Sequence, residues 1–203
     1  MTELSLETQG GLTDENQGKG KLVVVSGPSG VGKDTIIKYI VERTTFTKFA
    51  AYTTRTPRPG EINGIDYRFT SEEIFLKMLS ERPFLDHIQV NGYYYGTPLS
   101  DFSRVIESNQ RKVLHLAAKS ALLLKKHIPL TTTIFVMPPT YDDLMSRLKN
   151  RGMTDEQISA RMADDPNQYE LAPLFDFCVV NHTDAHEYAA RSIISFIKEP
   201  EIS

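Results

Sequence analysis

The sequence predicts an α/β fold around a parallel central sheet. Short apolar runs rich in β-branched residues alternate with segments of helical period, the pattern of strands joined by crossover helices. The runs 22–26 and 133–137 are almost continuously apolar, as expected of strands buried on both faces. The stretch 53–97 breaks this alternation with turn residues and short β-prone pieces, which predicts a smaller lobe inserted between core elements.

The core elements follow from local patterns. Four runs have the apolar, β-branched composition of strands, and six have apolar residues at helical spacing. The predicted core strands are Leu22–Ser26, Val113–Ala117, Thr133–Met137 and Cys178–Asn181. The predicted helices are Gly32–Arg43, Leu99–Ser108, Ala118–His127, Tyr141–Asn150, Asp155–Ala163 and Ala185–Ile197.

Hydroxyl residues mark several predicted helix starts. Thr70 with Glu73, and Thr154 with Gln157, fit the capping box, in which each side chain caps the other residue's backbone N–H. Thr140 follows two prolines and is expected to cap the next helix. These three threonines are therefore the predicted N-caps.

The length of 203 residues suits one domain, and the net charge of −3 limits its partners. That charge gives no electrostatic case for binding nucleic acid or an acidic membrane. No apolar run approaches the ~18 residues that a membrane span needs. The segment 1–20 is polar and lacks the features of a secretory signal, so we expect it to be a flexible tail.

The single cysteine, Cys178, excludes an internal disulfide and suits a reducing cytosol. We expect it to be a small core residue. The cysteine count therefore favours a cytoplasmic protein, and the charge balance gives no reason to expect a nucleic-acid or membrane partner. The expected state is a monomer or a homodimer, which neither observation decides.

The run LVVVSGPSGVGKDTII, residues 22–37, carries the pattern G-x-x-x-x-G-K between a predicted strand and a predicted helix. Glycines there allow backbone N–H groups to surround phosphate oxygens, and the helix start adds a partial positive charge. Lys33 would bridge the β- and γ-phosphates of ATP. The alternative is a turn that uses glycine for geometry alone. The predicted ATP-binding residues of this loop are Gly27, Pro28, Ser29, Gly30, Val31, Gly32, Lys33, Asp34 and Thr35.

Asp34 departs from the pattern, which normally has Ser or Thr after the lysine because that hydroxyl binds Mg²⁺. A carboxylate is repelled by a triphosphate unless the metal lies between them, whereas Asp is favourable in the first turn of a helix. We therefore expect Asp34 to point away from the phosphates. Thr35 is then the candidate Mg²⁺ ligand.

A second phosphate site is predicted in the run TTRTPRPGE. Arg55 and Arg58 lie three residues apart in a proline-stiffened loop, and arginine forks match phosphate oxygens bidentately. Tyr67 and Tyr95 offer hydroxyl donors to the same phosphate. The alternative is a solvated basic turn.

Arginines also cluster after the third predicted strand. Arg147 and Arg151 occupy i and i+4 of one helix, and Arg161 follows on the next. A closing lobe that delivers guanidinium groups can stabilise the charge of a transferring phosphoryl group. The alternative is surface arginines paired with neighbouring acidic residues.

From about Lys21 to Ile197 the chain resembles the guanylate kinase family. The resemblance depends on the motifs SGPSGVGK, TTRTPRPGEINGIDYRF, GYYYGTP, IFVMPP, RLKNRG and FDFCVVN. It implies a three-layer P-loop NTPase fold and the Mg²⁺-dependent reaction of ATP with GMP to give ADP and GDP. The implied division is a tail at 1–20 and a kinase domain at 21–203, with core segments 21–52, 98–139 and 168–198, an acceptor-binding lobe at 53–97 and a helical lid at 140–167.

The resemblance also implies residue roles. The four clamp residues of the second phosphate site match positions that hold the GMP phosphate, and Thr97 matches a hydroxyl that contacts the base. Asn181 falls on the adenine side. The implied catalytic residues are Lys33, Arg55, Arg147, Arg151 and Arg161.

Five positions depart from the family pattern. Ala51 replaces a serine, and Asp86 replaces the glutamate that accepts from guanine N1 and N2. His115 and Ala117 replace a carboxylate pair, and Pro166 interrupts a lid helix. The loss of carboxylates should weaken the preference for guanine. Asp86 and His115 stay candidate acceptor-binding residues, although His115 could equally be a structural histidine.

Two other functions stay open at this point. The phosphate loop, with Asp after its lysine, also resembles ribose 1,5-bisphosphate phosphokinases, which need no guanine carboxylates. Non-catalytic guanylate-kinase-like binding modules keep the phosphate clamp but usually lose the ATP loop.

Overall fold

The computed structural model of the chain describes residues 21–163 and 168–202, without the side chains of 161–163. The predicted tail at 1–20, Pro166 and the side chain of Arg161 lie outside the described residues. The strands are β1 (Lys21–Ser26), β2 (Thr47–Lys48), β3 (Tyr52–Thr53), β4 (Arg68–Phe69), β5 (Phe84–Val90), β6 (Tyr93–Pro98), β7 (Arg111–His115), β8 (Thr131–Met137) and β9 (Phe177–Val180). The helices are α1 (Lys33–Arg43), α2 (Glu72–Glu81), α3 (Leu99–Glu107), α4 (Ala118–His127), α5 (Tyr141–Asn150), α6 (Asp155–Ala163) and α7 (His186–Phe196), with a 3₁₀ helix at Gln168–Leu174.

Five strands form a parallel sheet in the order β2-β7-β1-β8-β9. Successive residues of β1 face opposite sides. Val23 and Val25 pack with α1 and α7, whereas Leu22 and Val24 pack with α3 and α4. The predicted three-layer α/β fold with a parallel central sheet is confirmed, since helices cover both faces of this sheet.

Parallel strands present all their carboxyl ends at one edge of the sheet. The chain leaves β1 after Ser26, β7 after His115 and β9 after Val180 at this edge. Asn181 follows β9 directly. Ligands of open α/β sheets bind at this edge, so the fold brings the predicted phosphate loop and His115 together.

A second sheet in the order β4-β3-β6-β5 lies between Tyr52 and Pro98 along the chain. Its pairing is mixed, with β3 parallel to β4 and antiparallel to β6. Helix α2 packs against it through Phe75, whose ring stacks on Tyr94 at 5.5 Å between centroids. This sheet carries three of the predicted acceptor-binding residues, Asp86 on β5 and Tyr95 and Thr97 on β6.

The opposite, amino-terminal edge of the central sheet is fixed by a buried carboxylate near the carboxyl terminus. The side chain of Glu199 is 1% exposed. It accepts hydrogen bonds from Lys21 Nζ at 3.0 Å and from Thr45 Oγ1 at 2.7 Å, and it pairs with Arg111. Lys21 and Arg111 begin β1 and β7, so one carboxylate ties two strand starts to the segment after α7.

Several predicted boundaries need correction. Strand β7 ends at His115 rather than Ala117, because Ala117 already serves as the N-cap of α4. Helix α2 is capped by Ser71, whose side chain accepts a hydrogen bond from the backbone N–H of Ile74. The predicted capping box at Thr70 was therefore wrong. The caps at Thr154 and Thr140 are confirmed.

Cys178 is exposed rather than a core residue, because β9 is the edge strand of the sheet. Its Sγ lies 3.2 Å from the carbonyl oxygen of Ala172. Within 21–163 and 168–202, none of the helices combines the length and the apolar character needed to cross a membrane.

Candidate active site

The phosphate loop joins β1 to α1 through three glycines with positive φ. Gly27, Gly30 and Gly32 have φ values of 131°, 86° and 99°, a region that L side chains rarely adopt. A Cβ on Gly27 would also lie 2.2 Å from the carbonyl oxygen of Val136. The sequence therefore uses glycine here because both the backbone turn and the close approach to β8 require it. The loop borders a cavity of about 560 Å³, called the donor cavity below.

Lys33 is the first residue of α1 and lines the donor cavity. Its ammonium donates to the carbonyl oxygens of Gly27 at 2.6 Å and Pro28 at 2.9 Å. Burial lowers the pKa of Lys33 from 10.5 to about 8, because the charged form loses water. A desolvated cation whose partners are neutral carbonyls attracts an anion strongly.

Arg147 and Asn181 hold the loop through its backbone. Arg147 donates to the carbonyl oxygens of Asn181 at 2.7 Å and Val31 at 3.3 Å. Asn181 Nδ2 also donates to Val31 O at 2.7 Å, and within the described part of the chain its buried Oδ1 has no hydrogen-bond partner. The structure thus places Arg147 on the loop backbone, whereas Arg151 lines the donor cavity.

The second phosphate site is organised by an ion pair that sequence reasoning missed. Glu61 accepts two hydrogen bonds from the guanidinium of Arg55, at 2.9 and 2.8 Å, and one from the backbone N–H of Arg58 at 2.7 Å. These donors lower the pKa of Glu61 to about 2, while Glu61 raises that of Arg55. The Arg55 guanidinium also lies over the Tyr67 ring, 5.5 Å from its centroid.

The tyrosines complete this clamp. The rings of Tyr67 and Tyr95 meet edge to face with centroids 5.9 Å apart. Arg58 is exposed. The structure therefore brings Arg55, Tyr67 and Tyr95 together and places Arg58 at the surface beside them. The signal that could have found Glu61 is its opposite charge six residues from Arg55 in a stiff loop.

Two further cavities of about 350 Å³ each border the second sheet. The first, the clamp cavity, contains Glu61, Tyr67 and Lys48. The second, the base cavity, contains Asp86 and Ser120. Shared lining residues join the two cavities, namely Ala51, Tyr67, Thr97, His115 and Leu116.

Asp86 comes from β5 and has its partner on a core helix. Its Oδ2 accepts from Ser120 Oγ, on α4, at 2.9 Å. Thr97 on β6 is nearly buried in the wall of the same cavity. Sequence reasoning did not identify Ser120, because its relation to Asp86 depends on how α4 packs against β5.

Asp34 and His115 lie where the donor and clamp cavities meet, since both residues line both cavities. His115 Nδ1 is 3.1 Å from Asp34 Oδ1. The imidazole contributes most to lowering the pKa of the Asp34 carboxyl. Two departures that the sequence presented separately thus form one pair, because β7 lies next to β1 in the sheet.

Possible metal ligands are sparse. Across 21–163 and 168–202 there is no group of three or more His, Cys, Asp or Glu side chains arranged for a metal. Thr35 is exposed and lines the donor cavity. A single hydroxyl beside a phosphate loop fits Mg²⁺, which keeps several waters and is bound largely by substrate phosphates.

Comparisons with known proteins agree on one family. The model described as Guanylate kinase matches residues 19–199 of the chain. The guanylate kinase of Trichormus variabilis is 36% identical, over 89% of this chain and 91% of the relative. That of Aster yellows witches'-broom phytoplasma is 40% identical, over 89% and 86%. The solved guanylate kinase from Anaplasma phagocytophilum has a TM-score of 0.61 at 25% identity, over 89% of this chain and 85% of that one.

Proposed function

The chain belongs to the guanylate kinase family, and on that premise we propose that it transfers the γ-phosphoryl group of ATP to GMP, giving ADP and GDP. The observation that carries this proposal is the junction of the three cavities. The donor cavity meets the clamp cavity at Asp34 and His115, and the clamp cavity continues into the base cavity. A donor phosphate and an acceptor phosphate can therefore meet within one groove.

On the donor side, the loop 27–35 would hold the ATP phosphates through its backbone N–H groups. Lys33 would exchange its carbonyl partners for phosphate oxygens, and Arg151 would face the transferring group from across the cavity. Asn181 and Arg147 would support the adenine side by fixing the Val31 carbonyl. Arg161 would belong to the lid, because its position matches the arginines of the family's lid.

On the acceptor side, Arg55, Arg58, Tyr67 and Tyr95 would bind the phosphate of GMP. Glu61 would hold the Arg55 fork in place, so that little conformational entropy is lost when the phosphate binds. Catalysis would then come from positioning and charge stabilisation, with no covalent intermediate.

The base would lie in the base cavity. Three residues of its lining would contact the base there, namely Thr97, Asp86 and His115. The lining also includes Ala51 and Ala117, which have no polar side-chain group to offer the base. Asp86 is one methylene shorter than the family's glutamate. The hydrogen bond from Ser120 would hold its carboxylate in a single orientation.

Mg²⁺ would accompany ATP, with the Thr35 hydroxyl as its protein ligand. The metal would neutralise phosphate charge during transfer. The remaining parts of the proposal are the lobe at 53–97, the lid at 140–167, a cytoplasmic location and a monomeric or homodimeric state without nucleic-acid or membrane partners.

An assay of ADP release tests the function, with GMP, dGMP, AMP, UMP and ribose 1,5-bisphosphate as acceptors. We expect turnover with GMP or dGMP far above that with AMP or UMP. Turnover of the sugar bisphosphate alone would contradict the proposal, and no turnover with any acceptor would indicate a binding module. Lys33→Ala should abolish transfer but leave GMP binding, measured by calorimetry, largely intact.

A further inference from the structure

The Asp34–His115 pair results from strand order. Val25 of β1 pairs with His115 of β7, and the chain passes from β1 through the phosphate loop into α1. The first turn of α1 therefore lies near the end of β7. Asp34, in that turn, comes within 3.1 Å of His115 Nδ1. The carboxylate of Asp34 thus has a partner within the protein, the imidazole of His115 on β7.

This contact selects one form of the imidazole. A carboxylate oxygen accepts hydrogen bonds and does not donate, so the nitrogen that faces Asp34 is the one that carries a proton. In the neutral ring the other nitrogen, Nε2, is then an acceptor. The part of the chain that the structure describes gives Nε2 no hydrogen-bond partner. His115 lines the base cavity together with Asp86 and Thr97.

We propose that Asp34 is a positioning residue for the acceptor base, because it holds His115 in the tautomer whose Nε2 accepts from the 2-amino group of guanine. This inference rests on the proposed function. The residue after the phosphate-loop lysine usually binds the metal. In this chain Thr35 would bind the metal, and Asp34 would instead help to recognise the acceptor base.

Among the hydrogen-bond donors of guanine, the 2-amino group is the one that suits His115 Nε2. Guanine presents one N–H at N1 and two at the 2-amino group. Asp86 already accepts from Ser120 through Oδ2, and its remaining acceptor capacity suits N1–H and one amino hydrogen. The second amino hydrogen then needs an acceptor, and His115 Nε2 supplies it. A nucleotide without that amino group, IMP, would leave this acceptor unpaired.

The pair is exposed, with 88% of the Asp34 side chain and 56% of the His115 side chain accessible. Exposed pairs interact weakly in water. A bound nucleotide would displace that water, and the same contact would then strengthen in a lower dielectric. The effect should therefore be visible in acceptor discrimination rather than in folding stability.

The test compares kcat/KM for GMP and IMP at one fixed alkaline pH. The variants are Asp34→Ala, His115→Ala and the double variant, with Glu42→Ala as the control. Glu42 is an exposed carboxylate on the same helix. We expect each single variant to lower the GMP-to-IMP ratio roughly three- to tenfold, through KM more than kcat. The double variant should be no worse than His115→Ala, and the control should match the wild type.

Nitrogen NMR of the histidine side chain gives an independent readout that needs no turnover. We expect the proton on Nδ1 in the wild type, a smaller Nδ1–H population in Asp34→Ala, and a shift of Nε2 when GMP binds. An Nε2–H tautomer in the wild type would overturn the inference even if GMP is phosphorylated. An unchanged GMP-to-IMP ratio in Asp34→Ala, with an altered Mg²⁺ requirement, would overturn it in favour of a metal role. A wild type that does not phosphorylate GMP would overturn the proposed function itself.

Discussion

Lys33 should make the stability of this protein rise with pH in the alkaline range. The charged ammonium is destabilised by burial in the folded state, so its pKa falls from 10.5 to about 8. Between these values the unfolded chain binds more protons than the folded one, and stability therefore increases as pH rises from about 8 to 10.5. The difference corresponds to about 3 kcal/mol of unfolding free energy at full titration.

Urea unfolding of the wild type and Lys33→Met over this pH range measures the effect. Lys33→Met cannot titrate, so the wild type should gain about 3 kcal/mol relative to it as the pH rises. Other titrating groups cancel in the difference. Lys38→Met, which removes an exposed lysine from the same helix, should run parallel to the wild type.

Parallel curves for the wild type and Lys33→Met would refute the reasoning, because they would mean that burial does not penalise this ammonium. Bound ATP supplies a second check. Its phosphates would stabilise the charged lysine, so saturating nucleotide should flatten the difference between wild type and variant. The destabilised cation of the free enzyme would then be the source of part of the affinity for ATP.

Glu61→Gln should raise the KM for GMP about tenfold with little change in kcat, since the Arg55 fork loses its ionic partner; steady-state kinetics with varied GMP check this. Ser120→Ala should raise the KM for GMP a few-fold by freeing the Asp86 carboxylate, while the KM for ATP stays unchanged in the same assay. Gly27→Ala should lower the thermal midpoint and remove stabilisation by ATP in a melting experiment, because its Cβ would lie 2.2 Å from a backbone carbonyl oxygen. An unchanged KM for GMP in Glu61→Gln or Ser120→Ala, or unchanged melting behaviour in Gly27→Ala, would contradict the role assigned to that residue.

The sequence predicts the buried elements of the core better than those of the inserted sheet, where β5 and β6, of seven and six residues, were not identified as strands. Strands β1 and β8 are long, apolar runs, and their patterns identify them. The two-residue strand β2 pairs with β7 through Thr47 and Lys48, a length at which no periodicity exists. The N-cap at Ser71 was missed because Thr70 offers the same hydroxyl one position earlier, and only the backbone conformation distinguishes them.

The residues of the candidate site also differ in how well the sequence predicts them. The phosphate loop is contiguous in sequence, so its residues could be predicted together. The contact between Asp34 and His115 could not, because it depends on β7 being the neighbour of β1 rather than on any spacing. The Asp86–Ser120 contact likewise depends on the packing of two elements that are separate in the chain.

The carboxylate of Glu199 anchors the central sheet at the edge opposite the candidate active site. It joins the starts of β1 and β7, while the donor and clamp cavities border the ends of the same strands. The starts of these strands are thus held together at the edge opposite the donor cavity. Substitution of Asp34 or His115, at the other edge, should therefore leave this anchorage intact. The segment after α7 thus stabilises the central sheet from the edge opposite the cavities at Asp34 and His115.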